Sequence, residues 1–130
     1  MCWTHRMEKS AGLVDLIDSY LSLGYDGNVK NVPATKGPPP QLEGYLLGGG
    51  LMTRNAPHGG EVHPDGDEVL LVISGGIDVI LEEPDGDRRV AVNPGQAFVV
   101  PQSIWHRVEL REPSHVLFLT PGPGGEHRPL

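Results

Sequence analysis

Two histidines and two glutamates have the types and spacing of a metal centre. Glu61 and His63 stand two apart in Gly60-Glu61-Val62-His63, so on an extended backbone both side chains point to one side. Glu68 follows the turn formers Pro64-Asp65-Gly66-Asp67 and opens the apolar run Val69 to Ile73. Three ligand-type side chains thus come from one corner of the chain. About forty residues later, in Trp105-His106-Arg107-Val108-Glu109-Leu110, the parity of His106 is shared by Val108 and Leu110, while Arg107 and Glu109 occupy the other. That alternation turns His106 inward. A buried imidazole needs a hydrogen-bond partner or a metal, since leaving it unpaired costs on the order of 1–3 kcal/mol. His58, five residues before His63 and of opposite strand parity, reads as a loop histidine that only a bulge at Gly59-Gly60 would swing inward.

The elements that must present these groups are short strands. Leu42 to Thr53 forms one β-like run, bent or bulged at Gly48-Gly49-Gly50. Val69 to Ser74 and Ile77 to Glu82 flank Gly75-Gly76 and read as a tight hairpin. Arg89 to Val92, Ala97 to Val100, Trp105 to Leu110 and His115 to Thr120 follow, separated by Pro84-Asp85-Gly86-Asp87, Asn93-Pro94-Gly95 and further turns. Roughly eight short strands punctuated in this way predict an all-β sandwich or barrel. Tyr45, Leu47, Leu70, Val72, Val108 and one parity of the last strand, Val116 and Phe118 or Leu117 and Leu119, are candidates for its interior. Trp105, opposite in parity to His106, belongs on an outer face.

Ahead of the strands, Leu13, Leu16, Ile17, Tyr20 and Leu21 fall at three-and-four spacing, with Ser10 to cap and Gly24 to end, which predicts an amphipathic helix serving as a lid or dimer contact. Residues 25–41, with Pro33 and Pro38-Pro39-Pro40, read as an irregular or extended connector. The chain then divides into helix and connector over 1–41, barrel over 42–120, and a loose tail over 121–130 that carries His127 and Arg128.

A chain of 130 residues suffices for one core. Its 18 Gly and 13 Pro favour many turns over long helices. Ten Lys and Arg against seventeen Asp and Glu leave a formal charge of -7, which repels phosphate backbones and anionic lipid, so neither nucleic acid nor a membrane is an expected partner. The single Cys2 has no internal disulfide partner, pointing to the cytoplasm. Residues 1–6 lack the basic start and apolar run of an export signal.

Gly60, His63, Glu68 and Gly75, followed by Gly95, Pro101 and His106, resemble in order and spacing the two motifs of the cupin family. The likeness covers about residues 42 to 120. It implies a cupin barrel, a jelly-roll-like double-stranded β-barrel, and it sets His63, Glu68 and His106 on three of the family's four usual metal-ligand positions. Glu61 stands where the family usually has its first histidine, Ser103 where it often has glycine and Leu110 where it often has asparagine. With Glu61 as a ligand, the set of two imidazoles and two carboxylates suits a divalent Mn, Fe, Ni or Zn ion, its oxygen content tilting the choice toward Mn or Fe. Two alternatives stay open: a salt-bridged Glu61 beside a three-ligand set of His63, Glu68 and His106, or a metal-free site whose histidines Glu68 satisfies.

Cupins run many reactions, so the resemblance implies a scaffold without choosing among them. One reading is a metalloenzyme acting on a small organic molecule with dioxygenase- or isomerase-like chemistry. Another is a non-catalytic cupin that binds a small molecule or metal for sensing or storage. A metal-independent isomerase would want a His base paired with Asp and an opposed Tyr acid, and neither pair is evident. The mostly aliphatic lining suits a small, partly apolar ligand, and the helix offers an apolar face for a homodimer.

Overall fold

The computed structural model describes residues 12–130, and its regular structure is all β. Eleven strands run in order: β1 (Ser19–Leu23), β2 (Val29–Pro33), β3 (Gly44–Met52), β4 (Gly60–Val62), β5 (Glu68–Ser74), β6 (Ile77–Glu83), β7 (Gly86–Val92), β8 (Ala97–Val100), β9 (His106–Leu110), β10 (Ser114–Gly122) and β11 (Glu126–Arg128). They build two antiparallel sheets, ordered β2-β1-β3-β10-β5-β8 and β11-β4-β9-β6-β7. Between them lie Leu70, Val72, Ile77, Val79, Leu81, Val92, Val100 and Val116. Each side chain of this kind contributes about 1.5–3 kcal/mol when fully buried, which makes the core the main attraction between the sheets. Among the described residues no helix is long and apolar enough to cross a membrane.

The predicted N-terminal helix is not formed by its described part. Residues 16–18 make a turn, opened by the Ile17 amide donating to the Asp15 carboxylate at 3.0 Å, and Ser19–Leu23 then joins β2 and β3. Ser10, the proposed cap, lies outside the described residues. The helical spacing is misleading because β1 is apolar on both faces. Tyr20 turns inward to meet Phe118, with ring centroids 6.4 Å apart, while Leu21 and Leu23 turn outward. Gly48 makes room for that contact, since a Cβ there would stand 2.5 Å from the Tyr20 ring. The connector contains β2, an edge strand ending at Pro33, where a missing amide donor costs the ladder little.

Gly75-Gly76 is not a hairpin either. β5 pairs with β10 and β8, β6 with β7 and β9, so the two glycines carry the chain across from one sheet to the other. Gly75 holds a φ of +85° and lies against Ser114, where a Cβ would collide with the Ser114 hydroxyl. The buried Ser114 Oγ accepts the Gly76 amide at 2.9 Å and pins the corner. On β3 the inward parity is Gly44, Leu46 and Gly48, which places Tyr45 and Leu47 on the opposite face from the one expected. On β10 the inward pair is Val116 and Phe118. The tail is held in part: Glu126–Arg128 pairs with β4, and the Arg128 guanidinium stacks 4.0 Å over Trp105 while bonding Glu82 at 2.7 Å.

Candidate metal centre

Cross-strand register brings the four expected side chains together. In the five-stranded sheet His127, Glu61, His106 and Leu81 form one row across β11, β4, β9 and β6. Neighbours in such a row have Cβ atoms only about 5 Å apart. His63 follows β4 on the parity of Glu61, and Glu68, first residue of β5, reaches across from the other sheet. Ligand atoms of Glu61, His63, Glu68 and His106 all lie within 4.8 Å of one another.

The two carboxylates alternate with the two imidazoles. His106 Nε2 is 2.9 Å from Glu68 Oε1 and 3.4 Å from Glu61 Oε1. His63 Nε2 is 3.3 Å from Glu68 Oε2 and 3.6 Å from Glu61 Oε1. Outer partners set the orientation. His106 Nδ1 donates to the Ile104 carbonyl at 3.0 Å, which turns Nε2 toward the centre. Thr120 Oγ1 donates to Glu68 Oε2 at 2.5 Å. His63 is buried, yet neither ring nitrogen makes a well-formed hydrogen bond, and Nε2 has only the ion-pair approach of the Glu68 and Glu61 carboxylates.

Such a cluster must hold positive charge. Burial opposes ionisation of the imidazoles, but the Glu61 and Glu68 carboxylates outweigh it and push His63 up to about 9 and His106 to about 10. Burial likewise works against the carboxylates, and the two imidazoles override it to hold Glu61 and Glu68 well below the ordinary carboxyl range. Two protons therefore balance two carboxylates. A divalent cation replaces both protons without changing the net charge of the buried site, and it satisfies His63 Nε2, which hydrogen bonding leaves unpaired. The donor set fits a divalent metal on both counts.

The cluster opens into a cavity of about 730 Å³, walled by Leu46, Met52, Leu70, Val108, Val116 and Phe118 and bounded on one side by Pro38-Pro39-Pro40. Leu70, Val108, Val116 and Phe118 match the expected lining; Val72 lies in the core away from the cavity. His58 sits in the loop before β4, its Nδ1 accepting the Gly60 amide at 3.2 Å, and its ring reaches the cavity mouth with Nε2 3.9 Å from Glu61 Oε2. Desolvation holds its pKa below the ordinary imidazole value. His127, assigned by sequence to the tail, also borders the cavity, with Nε2 3.3 Å from Glu61 Oε2 and its ring 4.9 Å from that of His58. Thr120 and His127 are the residues that sequence reasoning missed. Thr120 shares the parity of Val116 and Phe118, a signal that was available; His127, amid glycines and prolines, has no pattern to mark it.

Comparison with known proteins places this architecture. A search of curated proteins found no match. Among solved structures, an oxalate decarboxylase aligns at 22% identity with a TM-score of 0.52, over 64% of this chain and 23% of the other. A Bacillus subtilis oxalate decarboxylase variant aligns at 21% and 0.54, over 68% and 24%. Peruvianin-I, a cysteine peptidase from Thevetia peruviana latex, aligns at 14% and 0.55, over 66% and 56%. This chain thus spans about a quarter of the oxalate decarboxylases and just over half of Peruvianin-I, and the likeness is one of fold. The cupin domain model matches residues 52–120, more than half of the sequence and the stretch that carries His63, Glu68 and His106. The chain belongs to the cupin family.

Proposed function

We propose that the protein is a metalloenzyme in which Glu61, His63, Glu68 and His106 hold one divalent metal ion, and that its substrate is a small, largely apolar organic molecule bound in the adjoining cavity. The observation that carries this reading is the buried His63, whose ring nitrogens lack hydrogen-bond partners although two carboxylates and a second imidazole surround Nε2. A bound Mn or Fe ion would supply Lewis acidity, or redox chemistry toward dioxygen, beside the substrate. The chain's own residues do the rest. Thr120 and the Ile104 carbonyl fix Glu68 and His106, Leu70, Val108 and Phe118 exclude water, and Glu61, the most exposed of the four, faces the cavity.

Metal analysis of protein purified without added metal should find one ion per chain, and His106→Ala should abolish it. Oxygen uptake with small diketones, thiols and hydroxy acids then tests for dioxygenase chemistry, and product analysis without oxygen tests for isomerisation. Metal-free wild-type protein that takes up none of the four metals overturns the reading. A second reading, a non-catalytic sensor or store, is favoured by one feature: the acidic and basic side chains at the cavity are those of the cluster itself and its neighbours His58 and His127. A loaded protein inert toward the whole panel supports it. We further propose a cytoplasmic homodimer, from the lone Cys2 and the apolar residues outside the core.

A further inference from the structure

We propose that the outer face of the six-stranded sheet is a self-association surface that takes a second copy of this chain. An antiparallel sheet with one face on a core normally presents polar residues on the other, where it meets water. This sheet does not. Register runs one row, Leu21, Leu47, Leu119, Val69 and Val99, across β1, β3, β10, β5 and β8. Beside it Leu117 adjoins Leu71, and toward one end Leu51 and Ile73 are 69% and 48% exposed. These positions alternate with the buried Leu46, Leu70, Val100 and Val116, so they point away from the core. No Asp, Glu, Lys or Arg occupies an outward position on those five strands.

The opposite sheet shows what a solvated face of this protein looks like. There Arg89 lies 3.0 Å from both Asp78 and Glu109, Arg107 bonds Glu109, and Ile80 is shielded between the two arginines in register. The contrast belongs to the face rather than to the composition of the chain.

The occupant follows from charge, area and the chain itself. The described N-terminal residues leave the face bare, since Leu13 and Ile17 remain fully exposed. Residues 1–11 would bring Arg6, Glu8 and Lys9 to an uncharged surface, together with the apolar Met1, Trp3 and Met7. A second copy brings an uncharged apolar face. Two chains of formal charge -7 can meet there without opposing like charges, and an isologous pair closes at two. Five strands of this length give a flat footprint on the order of 500 Å² before side-chain relief, which puts two facing copies at the lower end of specific interfaces.

The inference rests on the homodimer reading and names its surface. Light scattering of the full chain at tens of micromolar should give twice the 14.0 kDa chain mass. Val99→Lys and Ile73→Lys put charge into the apposed faces at positions exposed in the single chain, so each should fold and run as a monomer, with association weakened roughly a hundredfold or more. Asp85→Lys, in the turn between β6 and β7, should stay dimeric. If circular dichroism shows either lysine variant unfolded, Leu51→Glu takes its place. A wild-type monomer overturns both this surface and the homodimer, and a blue-shifted Trp3 emission lost on Val99→Lys would assign the face to residues 1–11. Variants that remain dimeric overturn this surface and leave the homodimer standing.

Discussion

His106 combines complete burial with a partner on each nitrogen, the Ile104 carbonyl on one side and Glu68 on the other. Replacing it with alanine leaves Glu68 buried and short of a cation, so besides losing metal the variant should be destabilised by about 3–5 kcal/mol in denaturant titration. Thr120→Val removes the hydroxyl that orients Glu68 and should weaken metal affinity about 10- to 100-fold in a competition assay with a chelating dye. Protons and metal compete for the same nitrogens. Because His63 and His106 titrate near 9 and 10, metal binding at neutral pH releases two protons, and apparent affinity should rise by up to about a hundredfold per pH unit from about 7 to about 9. Chelated protein should behave differently. The imidazole contribution to stability is complete below the ordinary 6.5 and lost as pH rises through about 9 and 10. The carboxylate contribution is present above the ordinary 4.5 and lost as pH falls through the lowered values of Glu61 and Glu68. Thermal melts of the chelated protein should therefore peak between about pH 4.5 and 6.5 and decline on either side.

The strands were readable where one face meets the core and the other carries charge, as in β9, whose alternation gives the inward direction of His106 correctly. They were misread where that contrast fails. β1 is apolar on both sides and imitates a helix, and the outward Tyr45 and Leu47 on β3 look like core because the sheet's outer face is itself apolar. Gly75-Gly76 has the residues of a hairpin, but whether two strands separated by glycines pair or part depends on distant neighbours, here Ser114 and the β10 ladder. Local sequence carries no trace of those contacts. The corner gives its own prediction. Gly75→Ala meets a φ of +85° and the Ser114 hydroxyl, and should cost at least about 1–3 kcal/mol in chemical denaturation while leaving the folded fraction able to bind metal.

Across the whole molecule the two sheets divide the labour, one with a charged outer face and one without, and the metal-ligand candidates sit in the gap between them. Association through the uncharged face should not weaken with ionic strength: sedimentation from about 0.05 to about 0.5 M salt should leave the dimer constant unchanged or tighten it as repulsion between two chains of formal charge -7 is screened, whereas an interface through the Arg89 network would weaken as screening grows. All of the proposed chemistry depends on four side chains, supplied by both sheets, sharing one cation. Anomalous diffraction recorded above and below the absorption edge of the metal found by elemental analysis tests this most directly. One peak within bonding distance, about 2.0–2.3 Å, of His63 Nε2, His106 Nε2 and oxygens of both Glu61 and Glu68 is the predicted result. Metal-loaded crystals with no peak there, or a peak that Glu61 does not reach, would contradict the four-ligand centre.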